Sequence, residues 1–314
     1  MEEFKGKQNK EPGILDSMEN LLILAKKLQN VYEKRPDLTN FIGCMAGKGD
    51  PIESRYSVES IKKDEDYVIE KRKEIEESNR SFGQENFDRV EGGFQLSEIM
   101  QALIVDLMNR DWFKDCKTVM TSDFDDLKVG VDAVMKRGEK GYLGMSFDFT
   151  VSSQDKKIYE KLTKEWDRNI KDGKITIVKY FEDPDTKQKG SLLVPKFIIG
   201  ASKKDVEDFA RAYLYNDVEK LNNHPFKYIM LLQIEEQLQA ILDYYENDEN
   251  IKDSKFDFAR KKYAEIQTLL RNMKRDIHLE EDMHKEIDIY GASKENLALD
   301  VMKRFRITRE IKKK

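Results

Sequence analysis

"VGVDAVMKRGEKGYLGMSFDFT", Val129 to Thr150, reads as two strands joined by a short charged loop, and the rest of the fold is built outward from it. In the second run Leu143, Met145, Phe147, Phe149 and Val151 share one face, and Tyr142, Gly144, Ser146, Asp148 and Thr150 the other, the period of two expected of a strand. In the first run Val129, Val131, Ala133 and Met135 lie opposite Gly130, Asp132 and Val134. Each run is apolar apart from a single aspartate, Asp132 or Asp148. If "RGEKG" folds the runs antiparallel, one register sets Asp132 across from Ser146 and makes Asp148 its diagonal neighbour, about 7–8 Å away. The plain alternative is that both acids sit on a solvated sheet face, where antiparallel sheets place polar groups.

The flanking segments set these strands in an α+β context. "FQLSEIMQALIVDLMNRDWF" carries Leu96, Ile99, Met100, Leu103, Ile104, Leu107 and Met108 at helical spacing. "CKTVMTS" is a strand before the hairpin, "SSQDKKIYEKLTKEWDRNIKDG" a helix after it, and "KITIVKYFE" and "SLLVPKFIIGAS" are two further strands. "SKKDVEDFARAYLYND" is a capped helix, giving the order α-β-β-β-α-β-β-α. Upstream, helices are expected from about Leu15 to Glu33 and from Ser57 to Ser78, the second lying mostly in solvent, with "NRSFGQENFDRVEGG" as a linker. Beyond residue 217 the chain reads as helices able to form a hairpin or bundle. The expected division is 1–90, a helical region with a flexible tail; 91–216, the α/β core; and 217–314, a helical C-terminal region.

Two carboxylates on adjacent strands repel each other unless a proton or a cation lies between them. Two aspartates with a carbonyl and waters suit Mg²⁺ or Mn²⁺, which can ready a water and hold a phosphate oxygen. The αβββαβ order, with one acid on the second strand and another on the third, resembles the restriction-endonuclease-like PD-(D/E)XK nucleases over residues 91–216. That resemblance implies a restriction-endonuclease-like core with helical N- and C-terminal additions, and metal-dependent hydrolysis of phosphodiesters in nucleic acid. It assigns the metal to Asp132 and Asp148 and a supporting acid to Glu98 on the first helix. Two departures stand out: Val131 replaces the proline before the first acid, and Thr150 stands in place of the lysine. Some members of the superfamily carry that lysine on the following helix, where Lys156, Lys157 and Lys161 lie here, and Lys157 is taken as the catalytic candidate. Without a lysine at the acids, the fold would serve as an inactive scaffold that binds a protein partner or a second copy of itself through its C-terminal helices.

The net charge of -5 excludes nucleic-acid binding driven by overall charge, so contacts would need a local basic surface. "MKRFRITREIKKK" offers one, with Arg304, Arg306 and Lys312 as phosphate contacts and Phe305 as a stacking residue; the equal alternative is a basic helix end, since cations favour a helix C-terminus. Asp123, Asp125 and Asp126 form a second acidic group that reads as a turn or an outer metal ligand. Two distant cysteines and only three histidines leave little for a zinc site, a disulfide framework or a histidine triad. His224, just before Pro225 at a helix start, reads as a cap or a surface residue. "GCMAGKG" misses the spacing of a phosphate loop. The charged N-terminus has no signal-peptide core and no run is long enough to span a membrane, so a reduced, cytoplasmic setting is expected.

Overall fold

The computed structural model describes residues 18–44, 54–81, 84–138, 143–151, 155–247, 254–277 and 301–306. Its elements are α1 (Met18–Tyr32), α2 (Val58–Ser81), α3 (Gln84–Leu107), β1 (Cys116–Met120), β2 (Ala133–Arg137), β3 (Leu143–Val151), α4 (Asp155–Arg168), β4 (Ile177–Glu182), β5 (Lys189–Leu193), β6 (Lys196–Ala201), α5 (Lys203–Leu214), α6 (Val218–Asn222), α7 (Phe226–Asn247) and α8 (Asp257–Asp276), with a last helical turn at 301–306. The protein is thus a mixed helix-and-strand structure dominated by helix. No described helix is long and apolar enough to cross a membrane.

The central sheet has the order β1-β2-β3-β6, with β1, β2 and β3 antiparallel in turn and β6 parallel to β3. A parallel neighbour needs a crossover, and the segment from α4 through β5 provides it. β4 does not join this sheet. It pairs with β5 as a separate two-stranded ladder, and "SLLVPKFIIGAS" splits into β5 and β6 around Val194 and Pro195. Pro195 has no N–H to give a ladder, so the chain changes sheets at the residue that cannot continue one.

One face of the sheet follows the sequence closely. Ala133, Met135, Met145, Phe147 and Phe149 are buried with Phe197 and Ile199. The helices pack on them through Ile99, Leu103 and Leu107 of α3, Phe209 of α5, Ile234 and Leu238 of α7, and Tyr263 and Ile266 of α8. At about 1.5–3 kcal/mol for each fully buried large side chain, this is the main source of cohesion. The same cluster draws in Leu24 and Leu28 of α1 and Val301 and Phe305, so residues from both ends of the chain share one core.

The other face departs from expectation: it is covered. Val131 and Val134 pack with Val178, Phe181, Leu192 and Val194, which lays the β4–β5 ladder over it. Beside this, Leu38, Phe41, Tyr56 and Ile61 close on Phe124 and Tyr180 and pin the start of α2 to the same side. A solvated face for the acids is therefore ruled out. The expected linker at 79–93 also differs, since helical backbone continues through Ser81 and resumes at Gln84.

The free edge of β6 is closed by side chains. Gln237 both accepts from the Ile198 N–H and donates to the Ile198 carbonyl, each at 2.9 Å, and Gln233 does the same at Gly200. Two glutamines one turn apart on α7 thus stand in for a neighbouring strand on alternate residues of β6.

Candidate functional site

The acid face is shaped by the loop between β1 and β2. Leu127 to Val129, apolar enough to read as strand, instead belong to a π-helical turn over Asp125–Val129. The turn ends at Gly130 with φ 71°, a left-handed conformation that glycine adopts without strain. Asp125 fixes the turn in place. Its fully buried carboxylate accepts from the Lys179 N–H at 2.6 Å, the Tyr180 N–H at 2.9 Å and the Ser122 hydroxyl at 2.8 Å. Burial pushes its pKa up to about 6, and the three donors limit the rise. Asp125 is a structural stitch between this turn and β4, and only its neighbours face the site.

The turn delivers Asp132 to the entrance of β2. Val134, and not Asp132, lies opposite Ser146, so the register is shifted by two residues from the expected one. The shift brings the acids closer together. The Asp132 N–H donates to the Phe147 carbonyl at 2.8 Å, and its carboxylate accepts from the Phe149 N–H at 2.6 Å, so Asp132 brackets Asp148 on the next strand. Asp132 is 3% exposed and Asp148 6%. Burial, then the Asp126 and Asp148 charges, push the Asp132 pKa well above the ordinary carboxylate value. Lys161 offsets this in part, and a side-chain hydrogen bond with Asp126 adds to the rise.

Lys161, from α4, donates to Asp148 Oδ1 and, at 3.4 Å, to the Phe149 carbonyl. Burial works against its charge, but Asp148 and Asp132 outweigh burial and hold its pKa above the usual lysine value. Lys196, the first residue of β6, lies 3.9 Å from the other oxygen of Asp148 and 2.8 Å from Glu165. On the far side Arg35 donates to Asp126 at 2.8 Å and to Asp123 at 2.5 Å, and Arg72 reaches Asp123 at 2.8 Å. The site is a row of charges drawn from widely separated parts of the chain, in which Asp126 and Asp148 each face a base and Asp132 lies between those two acids.

The candidates from sequence fall into three groups. Asp132, Asp148 and Lys161 come together. Glu98 lies next to the row and not within it: burial raises its pKa, Arg35 and Arg72 draw it down, and Asp126 and Asp123 raise it further. It also lines a groove of about 690 Å³ with Leu21, Leu22, Tyr32 and Ile99. Lys157 and Lys156 do not reach the acids by hydrogen bond. Lys157 is exposed, and Lys156 lies 3.8 Å from Glu160 on the outer side of α4, so Lys161 replaces Lys157 as the lysine at the site.

The C-terminal basic stretch also departs from expectation. Phe305 is buried against Tyr159 and Trp166 and cannot stack on a base, and Arg306 is ion-paired with Glu236 at 2.8 Å. Arg304 is exposed, and Lys312 lies outside the described residues. Of the two roles open to His224, the structure shows the cap: it is buried and its Nδ1 accepts from the Phe226 N–H at 3.2 Å. Arg35, Lys196, Glu165 and the role of Asp126 had no local signal, because each meets the acids only through the tertiary fold.

No protein family, curated protein or solved structure matches this chain. Its chemistry therefore has to be read from the site itself. The buried, mutually repelling carboxylates of Asp132 and Asp148 are hard oxygen donors of the kind a small divalent cation takes. Among the described residues no group of three or more His, Cys, Asp or Glu side chains is arranged to hold a metal. A cation here would complete its shell with a backbone carbonyl, water and substrate oxygens, as Mg²⁺ commonly does.

Proposed function

We propose that this protein is a metal-dependent phosphodiesterase acting on nucleic acid, built on a restriction-endonuclease-like core. One observation carries the reading: Asp132 brackets Asp148 on the adjacent strand, both are buried, and the Lys161 ammonium rests on Asp148. The sequence α3-β1-β2-β3-α4-β6 supports it as an αβββαβ order in which β4–β5 is an insertion. Thr150, where the family has lysine, is answered by Lys161 from the following helix.

In this reading Asp132 and Asp148 hold Mg²⁺ or Mn²⁺, which when bound lowers the pKa of a coordinated water and polarises the phosphoryl oxygen. Lys161 orients the attacking water and places a fixed positive charge where negative charge develops on the phosphate. The buried walls exclude bulk water and keep these charges effective. Glu98 and Arg35 stand at the rim, where an incoming phosphate would exchange for the Arg35–Asp126 pair.

A second reading has one observation in its favour. The two oxygens of Asp148 already face Lys161 and Lys196, which would suit a catalytically silent scaffold that binds a protein partner. A single experiment separates the two. Purified protein is incubated with single- and double-stranded DNA and RNA in Mg²⁺, Mn²⁺ or EDTA. The nuclease reading expects metal-dependent cleavage that falls on the order of a hundredfold or more in Asp132→Ala, Asp148→Ala and Lys161→Met. Cleavage surviving in the aspartate variants, or absent from the wild type with every substrate and metal, overturns it.

A further inference from the structure

We propose that Lys196 and Glu165 form a fixed clamp that positions the Asp148 carboxylate, leaving the more exposed Lys161 as the lysine that meets a phosphate. The task given to Asp148 rests on the phosphodiesterase reading; the clamp itself does not.

The two lysines reach the same carboxylate in different states. The Lys161 side chain is 30% exposed and approaches Oδ1 from the solvent side. The Lys196 side chain is 7% exposed, and its ammonium points in three directions: to Glu165 Oε2 at 2.8 Å, to the Val129 carbonyl at 3.2 Å and toward Asp148 Oδ2 at 3.9 Å. Two of its three donors are engaged at close range by Glu165 and the Val129 carbonyl, and the head group so held faces Asp148 across an ion-pair distance.

Glu165 is held just as firmly. Its Oε1 accepts from the Asn169 side-chain amide at 2.6 Å and from the Thr176 hydroxyl at 2.9 Å, which leaves Oε2 for Lys196. The backbone leaves room for the clamp at one position. A Cβ on Gly130 would stand 3.1 Å from Asp148 Oδ2 and 3.8 Å from the Lys196 ammonium. Burying a lysine with two carboxylates costs heavily in desolvation and gains little net stability over an apolar packing. Its effect is on orientation: with Lys196 anchored by Glu165 and the Val129 carbonyl, its fixed charge favours one direction for Asp148 Oδ2.

The test uses the full chain and compares the wild type with Lys161→Met, Lys196→Arg and the double variant Lys196→Met/Glu165→Gln. The double variant removes one positive and one negative charge, so the net charge around Asp148 is unchanged and no buried carboxylate is stranded. Mn²⁺ affinity is measured by electron paramagnetic resonance, cleavage is resolved into kcat and KM, and crystal structures report the Asp148 side-chain conformation. The clamp predicts that the double variant turns Asp148 to a new rotamer, weakens Mn²⁺ roughly tenfold or more, and lowers kcat with KM little changed, while Lys196→Arg restores part of each. Lys161→Met should lose cleavage while Asp148 and the Mn²⁺ affinity hold. An Asp148 rotamer unmoved in the double variant overturns the clamp. A wild type that neither binds Mn²⁺ nor cleaves overturns the phosphodiesterase reading, and the rotamer comparison still decides the clamp.

Discussion

The two faces of the central sheet are both buried, yet they are held by different physics. On the helix side, Ala133, Met135, Met145, Phe147 and Phe149 meet apolar side chains, and cohesion comes from area removed from water. On the hairpin side, Val131 and Val134 sit beside Asp132 and Asp148, and each carboxylate must be matched by a donor. The first face tolerates changes of detail as long as volume is kept. The second depends on every partner, because a buried charge that loses its mate has no water to fall back on. The difference shows where the fold is optimised for stability and where it has given some up.

The largest test of this contrast lies on the apolar face. Phe147 is fully buried, and Phe147→Ala should cost about 3–5 kcal/mol in urea unfolding, through lost transfer energy and the cavity left behind. A cost below about 1 kcal/mol would mean this face is not the core.

The opposite sign is expected across the sheet. Asparagine at 132 can still accept from the Phe149 N–H and donate to Asp126, without any charge to bury. Asp132→Asn should therefore stabilise the protein by about 1–2 kcal/mol at a pH where the wild-type carboxyl is ionised and, on the phosphodiesterase proposal, abolish cleavage. The pH dependence fixes the cause. The folded protein holds the Asp132 proton more tightly than the unfolded chain, whose value is the ordinary 3.8. The wild type is thus most favoured below that value and loses stability as pH rises through the raised folded value. The advantage of Asn should be absent below the unfolded value and grow as pH rises above it, until the folded protein has lost the Asp132 proton. A constant advantage would point away from ionisation.

The smallest effect sharpens the assignment of the lysine. On the phosphodiesterase proposal Lys157→Ala should lower cleavage by no more than a factor of a few, and in any case shift stability by less than about 0.5 kcal/mol, as for exposed residues. A loss equal to that of Lys161→Met would return the role to Lys157.

The apolar face was legible because period-two alternation in 143–151 and helical spacing in 94–108 are local signals, and both acids were visible as interruptions of that pattern. The covering of their face was not, since Val178, Phe181 and Leu192 meet Val131 and Val134 only through long-range packing. Leu127 and Val129 misled because apolar character alone does not separate a strand from one helical turn, and only the left-handed Gly130 ends the turn before β2 begins. Lys196 was hidden inside an apparently continuous strand, although Pro195 marked the break. Lys157 and Lys161 lie one turn apart on the same face of α4, so periodicity cannot choose between them; position along the helix axis does, and Lys161 is the one level with Asp148.

The link between the two ladders carries a mechanical corollary. Only Val194 and Pro195 separate β5 from β6, and the Pro195 carbonyl is tied to the Ser146 N–H at 2.8 Å. The small ladder is therefore coupled to the row of charges as a lever is to its fulcrum. The placement of the β4–β5 ladder and that of Lys196 are thus fixed together, a few bonds apart.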